Sequence, residues 1–170
     1  SNGTGLKEVH NALNHMVLHL NKTNEYNLSP VEFKKFQLYY RNVNSKYNHF
    51  KIPKKSGGYR NISAPDEYLL FIQRLIAEII QMFFEPSSFS HGFIRERSIV
   101  TNAELHTNKA YVLNVDLANF FPSIRFARVK EIFKSSPFKF SEKTSIVLAR
   151  FSVLKGKLPQ GAPSSPIISN

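Results

Sequence analysis

The run Tyr111-Val112-Leu113-Asn114-Val115-Asp116-Leu117 constrains this chain more than any other seven residues. It is rich in β-forming side chains and alternates: Tyr111, Leu113, Val115 and Leu117 share one face, and Val112, Asn114 and Asp116 the other. A strand is stable only when a neighbour takes up its backbone hydrogen bonds. Almost every other periodic segment here has helical spacing, so the run reads as a lone central strand, and thus as an incomplete sheet. The expected class is α+β, mostly helical, with one β-hairpin and this one strand.

The helices are legible from their stripes. Residues 5 to 20 place Leu6, Val9, Leu13, Met16, Val17 and Leu20 on one face. Asn21 to Leu28 is polar and turn-like. Ser29-Pro30-Val31-Glu32 has the form of a capping box with Pro at the first helical position, which predicts a helix with Phe33, Phe36 and Tyr40 inward, ending near Asn42 or Val43. From Tyr47 the period changes: Phe50 and Ile52 alternate, Lys54-Lys55-Ser56-Gly57-Gly58 reads as a hairpin tip, and Tyr59 to Ile62 returns. Pro65-Asp66 opens what reads as the longest helix, with Leu69, Ile72, Ile76, Ile79 and Phe83 inward and Pro86 as its stop. Ser87 to Arg97 is a loop containing His91-Gly92-Phe93, and Ser98 caps a short helix to about His106. Further helices are expected at Arg125 to Ser135 and, capped by Ser141, at Glu142 to Leu154.

Charge narrows the partners. Lys and Arg number 23 against 12 Asp and Glu, a net charge of +11. Six basic residues (Arg41, Lys46, Lys51, Lys54, Lys55, Arg60) lie between positions 41 and 60 without an acid, and nine more follow Asp116 against Glu131 and Glu142 alone. Such a field attracts phosphate backbones, since binding releases condensed counterions. A solubilising surface is the equal rival for charge alone. Interleaved Tyr39, Tyr40, Tyr47, Phe50 and Tyr59 are able to stack on bases, although most aromatics fill cores. The absence of Cys excludes a disulfide framework, a Cys-based zinc site and a thiol nucleophile, and fits a reducing compartment. The most apolar stretch, Tyr68 to Phe84, contains Gln73, Arg74, Glu78 and Gln81, so no membrane span is expected.

Only two of the acids are aspartates, Asp66 and Asp116. Asp116 ends an otherwise mostly apolar strand, where a carboxylate is expensive to bury unless paired. Its partner is either a nearby Lys or Arg or a hard cation such as Mg²⁺, which takes one or two carboxylates plus substrate phosphates.

At this point the residues resemble a known family. Val115-Asp116-Leu117-x-x-Phe120-Phe121-Pro122-Ser123-Ile124 is similar to the first catalytic motif of the palm in reverse transcriptases, and Gln160-Gly161-Ala162-Pro163-Ser164-Ser165-Pro166, 44 residues on, to their later Gln-Gly-x-x-x-Ser-Pro motif. Lys54-Lys55-x-Gly-Gly-Tyr-Arg60-x-Ile resembles the fingers hairpin, and His91-Gly92-Phe93 with Ser98-Ile99 and Asn102-Ala103 the block between fingers and palm. Any one alone is weak; four in order over residues 47 to 170 are a strong signal. Phe-Phe-Pro-Ser-Ile together with Leu-Pro-Gln-Gly-Ala-Pro-Ser-Ser-Pro looks most like the bacterial retron branch, with group II intron enzymes the nearest rival.

The resemblance implies a right-hand polymerase: residues 1–45 a helical N-terminal extension, 46–107 fingers with the basic hairpin, and 108–170 the start of a palm interleaved with fingers helices. It implies an RNA-directed DNA polymerase in the cytoplasm, with two Mg²⁺ ions, an RNA template and nascent DNA, deoxynucleoside triphosphates, and in the retron branch a cognate structured non-coding RNA and a role in antiviral defence. Asp116 would be catalytic and, with the Leu117 carbonyl, a metal ligand. Arg60 and Lys54 (or Lys55) would clamp the triphosphate, and the N–H groups of Asn119 and Phe120 would meet phosphate oxygens. Phe121 would be the steric gate against a 2′-hydroxyl, Gln160 would contact the sugar, and Gly161 would let backbone approach the template-paired base. Taken singly, Arg60 reads as an exposed hairpin charge, Gln160 as a cap and Gly161 as a turn glycine. Such enzymes need two further aspartates in a Tyr-x-Asp-Asp turn, yet no Asp follows Asp116, and Glu131 and Glu142 read as surface-paired. The expectation is therefore an N-terminal portion, natural or engineered, that is inactive alone. A non-catalytic RNA-binding module derived from such an enzyme is the alternative of another class, and a basic helical protein–protein adaptor a weaker one.

Overall fold

The first stripe folds as read, and further. Leu6, Val9, Leu13, Met16 and Val17 are buried along α1 (Gly3–Asn24), which runs one turn past the expected end and is the longest helix. The structure, a computed structural model, describes residues 3–24, 26–55, 57–94 and 96–170. Ser1, Asn2 and Glu25 of the extension, Ser56 of the hairpin tip and Arg95 of the later loop lie outside the described residues.

The predicted capping box does not form. α2 spans Phe33–Asn42 and starts after Glu32, whose side chain makes no cap bond. Val31 is buried, and α1 has captured its backbone. The Val31 N–H donates to Asn14 Oδ1 at 2.7 Å, while its carbonyl accepts from Asn14 Nδ2 at 3.2 Å and lies 2.7 Å from His10 Nε2. A tertiary bond to Val31 thus displaces the local bond that a Ser29 cap would have made.

A 3₁₀ turn at Val43–Ser45 leads into β1 (Tyr47–Pro53), which pairs antiparallel with β2 (Tyr59–Pro65) from Tyr47↔Pro65 to Pro53↔Tyr59. Asp66 then caps α3 (Glu67–Phe83), its carboxylate accepting from the Leu69 N–H at 3.0 Å and from the Tyr39 hydroxyl at 2.9 Å. Burial first, and then that carboxylate, push the Tyr39 phenol up to about 12, so it stays a neutral donor. Leu69, Ile72 and Ile76 are fully buried, while Phe83, expected inward, is half exposed in the last turn.

Beyond α3, Ser98 caps α4 (Ile99–Glu104) in a reciprocal box with Thr101. A short α5 (Phe120–Ser123) precedes α6 (Phe126–Lys134) and α7 (Glu142–Ser152), the latter capped by Ser141. Glu131 and Glu142 pair at the surface with Lys130 and Lys134, and the two lysine hydrogen bonds hold Glu142 down to about 2. The final α8 (Ser164–Ser169) was not expected from the proline-rich motif. α1 packs on α7 and α3, α6 on α7, and α8 on α3, so one core draws side chains from α1, α2, α3, α6, α7 and α8. Gly5 lets α1 touch α7, because a Cβ there would lie 2.6 Å from the Lys143 carbonyl carbon. No helix of the described residues is long and apolar enough to cross a membrane.

The expected palm strand is a correction. Residues 111–117 adopt no strand, and all seven are exposed, Tyr111 at 94% and Leu113 at 86%. β propensity measures fit to a pleated, half-buried surface rather than a backbone preference. Among the described residues the only sheet is the two-stranded hairpin, so no edge accepts this segment.

Candidate functional site

The basic hairpin is built by its register. Arg60 lies opposite Ile52, and cross-strand partners share a face, so it projects beside Phe50 and Ile62. Lys54 closes the tip: its N–H donates to the Gly58 carbonyl at 3.0 Å, and its carbonyl accepts from the Gly57 N–H at 3.1 Å. Both side chains are exposed, and among the described residues neither has an ion-pair partner. A free guanidinium on a rigid ribbon suits bidentate capture of a phosphate.

Gln160 and Gly161 are brought directly onto this hairpin. The Ser63 N–H of β2 donates to the Gln160 carbonyl at 2.8 Å. Gly161 has φ +117°, and a Cβ there would fall 2.7 Å from Ile62 Cγ2 and 3.1 Å from the Ser63 carbonyl oxygen. The close approach seen at Gly161 is thus to β2. On its other side the same loop joins the motif after Asp116, since the Leu158 N–H donates to the Ile124 carbonyl at 3.0 Å and Phe126 N–H to the Gly156 carbonyl at 2.9 Å. Ser165 Oγ pins the loop by donating to the Pro159 carbonyl at 2.7 Å. Hairpin, Gln-Gly loop and post-Asp116 motif form one hydrogen-bonded series.

Ile62 and Ser165 stand inside the motifs without an assigned role, and Ser63 lies outside them; all three position the loop. Ser63 gave no signal, because it acts through its backbone N–H. Gly161→Ala is expected to destabilise the chain by about 1–3 kcal/mol from backbone strain and contact, measured by urea denaturation. Adding Ile62→Ala should recover only part, since it removes the side-chain contact and leaves the positive φ. A Gly161→Ala midpoint equal to wild type would refute this packing.

Asp116 and Leu117 lie in the exposed 111–117 segment, and the Asp116 side chain makes no hydrogen bond or ion pair among the described residues. The burial cost expected for this carboxylate therefore does not arise. Asn119 turns the chain in the left-handed region (φ 53°, ψ 37°) and starts α5, whose first N–H groups have no acceptor within the helix. Phe120 is 37% exposed and meets Phe121 at a ring-centroid distance of 5.7 Å. Phe121 is half-buried against the core. No three His, Asp or Glu among the described residues gather as a metal site. One carboxylate and one carbonyl would be fewer oxygen donors than Mg²⁺ takes.

Comparisons with known proteins bear on this arrangement. A family model described as reverse transcriptase (RNA-dependent DNA polymerase) matches residues 52–170, which include all the candidate site residues. The chain is 34% identical over 142 residues to the retron Mx162 reverse transcriptase of Myxococcus xanthus, covering 73% of this chain and 29% of that protein. It is 37% identical over 111 residues to the retron Ec86 reverse transcriptase of Escherichia coli, covering 65% and 34%. With the retron Se72 reverse transcriptase of Salmonella heidelberg it shares 33% identity over 141 residues, covering 82% and 37%. The chain spans roughly a third of the length of these relatives.

Proposed function

Because this chain belongs to the reverse transcriptase family, we propose that it supplies the nucleotide-selecting part of a retron-type, RNA-directed DNA polymerase. One observation carries the reading. The fingers strand β2 is bonded to the Gln160 loop at 2.8 Å, and that loop in turn to Ile124 at 3.0 Å. Residues about a hundred positions apart are thereby tied together, and the last of these bonds falls at Ile124, eight residues after Asp116.

On this reading Arg60 binds the triphosphate bidentately, Lys54 assists as a point charge, and the Asn119 and Phe120 N–H groups take phosphate oxygens. Phe121 excludes a ribose 2′-hydroxyl by contact, and Gln160 and Gly161 line the sugar and base side. Asp116 and the Leu117 carbonyl are the oxygen donors this chain contributes toward Mg²⁺. A magnesium ion bound there would supply positive charge at the reacting phosphate. An RNA template, the nascent DNA, a cognate structured RNA and a cytoplasmic setting belong to the same proposal, as does the hand-like division at 1–45, 46–107 and 108–170.

Primer extension on an RNA template with deoxynucleotides and Mg²⁺ tests it. The full-length protein should extend the primer. The 170 residues alone should not, since they hold one motif carboxylate. Full-length protein that binds primed RNA and extends nothing would favour the non-catalytic binding module.

A further inference from the structure

At the root of the hairpin, where the chain enters β1 and leaves β2, four side chains stand in series. Lys46 Nζ lies 4.7 Å from the Tyr39 ring centroid, Tyr39 meets Tyr68 edge-on at 4.6 Å, and Lys35 Nζ sits 4.3 Å over Tyr68. Asp66 fixes the row by accepting from Tyr39. Beside Lys35, an open groove of about 460 Å³ lies between α2 and α3, with Leu28, Tyr68 and Phe71 as apolar surface and Lys35 and Arg74 as its cations. Among the described residues Glu67 is the acid lining it, and the Glu32 carboxylate also faces Tyr68.

A lysine held over a ring is positioned, yet its charge is not neutralised, because the ring offers a quadrupole and no counter-charge. Among the described residues Lys35, Lys46 and Arg74 take part in no ion pair. Row and groove therefore combine spaced, unpaired cations with aromatic faces. Their ligand needs repeated negative charges and flat apolar faces together. An acidic peptide meets the first requirement only, and a duplex hides its base faces in the stack.

We propose that the α2–α3 groove and the Lys35–Tyr68–Tyr39–Lys46 row hold a single-stranded segment of RNA. The seven-residue β1 separates Lys46 from the Lys54 tip by roughly 23 Å, while the Gln160 loop meets β2 nearer the root, at Ser63 opposite His49. The choice of RNA rests on the polymerase reading above. The geometry requires only a single-stranded polyanion with bases.

The test is a fluorescence-anisotropy titration of the 170-residue chain with an unstructured RNA oligonucleotide at several salt concentrations. Wild type is compared with Lys35→Gln/Arg74→Gln, with Arg60→Ala and with a distant Lys143→Gln control. Lys35 and Arg74 are exposed, so the double variant should lose little more than the Lys35–Tyr68 contact and stay folded at the assay temperature. Its log–log salt slope should be shallower by about 1.4, the value for two lost single-strand phosphate contacts, and its affinity lower by roughly tenfold or more at low salt. Lys143→Gln should change neither. A double variant with wild-type slope and affinity overturns the proposal, and does so alone if the full-length protein still extends primers. An equal loss on a duplex RNA of the same length overturns the single-strand assignment.

Discussion

Asp116→Asn in the full-length protein should lower primer extension by on the order of a thousandfold, while the melting temperature of the chain stays where it was. The first part follows from charge. Asparagine keeps the shape of the side chain and removes the negative charge, and preorganised charge at a reacting centre contributes several kcal/mol to barrier lowering, about 1.4 kcal/mol per tenfold. The second part follows from exposure. The Asp116 side chain has no hydrogen bond or ion pair among the described residues, and the segment around it is solvent-facing, so folding has nothing to lose. Asp66 makes the contrasting case. It caps α3 and holds Tyr39, so Asp66→Asn should leave the chemistry and lower stability instead. Thermal melts beside extension rates separate the two. A large Tm loss for Asp116→Asn, or extension within tenfold of wild type, would contradict the catalytic assignment.

Phe151→Ala carries the largest expected cost in stability, about 3–5 kcal/mol. Phe151 is fully buried on α7 and stacks on Phe36 of α2 at 4.7 Å and 21°, with Tyr40 at 6.0 Å. Its carbonyl accepts from Gln73 Nε2 of α3 at 2.8 Å, and that same amide donates to the Tyr47 hydroxyl at 2.8 Å. Truncation empties the point where α2, α3, α7 and the start of β1 meet. Against a total of roughly 5–15 kcal/mol for a domain, that loss leaves a large part of the population unfolded or close to it. Phe151→Leu, which keeps most of the volume, should cost clearly less. Urea denaturation of the three proteins decides, and equal midpoints for Phe151→Ala and wild type would contradict the packing.

Much of this architecture could be read from the residues in order. The stripes of α1 and α3, the extents of α6 and α7, the hairpin and its tip, and the Ser98 and Ser141 caps were all legible, because each depends on side chains within a few positions of one another. The motifs around Asp116 and Gln160 were legible for the same reason. The misreadings share the opposite cause. Ser29 looked like a cap until Asn14 of α1 took the Val31 backbone. The α8 helix hid behind its prolines. The segment 111–117 had the composition of a strand, but composition provides no partner.

By itself, then, the sequence determined which segments coil, where the hairpin turns, where positive charge collects and which aspartate stands in a motif. All of these are local side-chain properties. Only the tertiary structure decided that Ser63 bonds to Gln160, that Gly161 packs on Ile62, and that Tyr39, Tyr68 and two lysines line up at the hairpin root. Those contacts depend on backbone groups that every residue carries and on positions far apart in the chain. Their partners are chosen by how the helices pack, and no short stretch of residues encodes that choice.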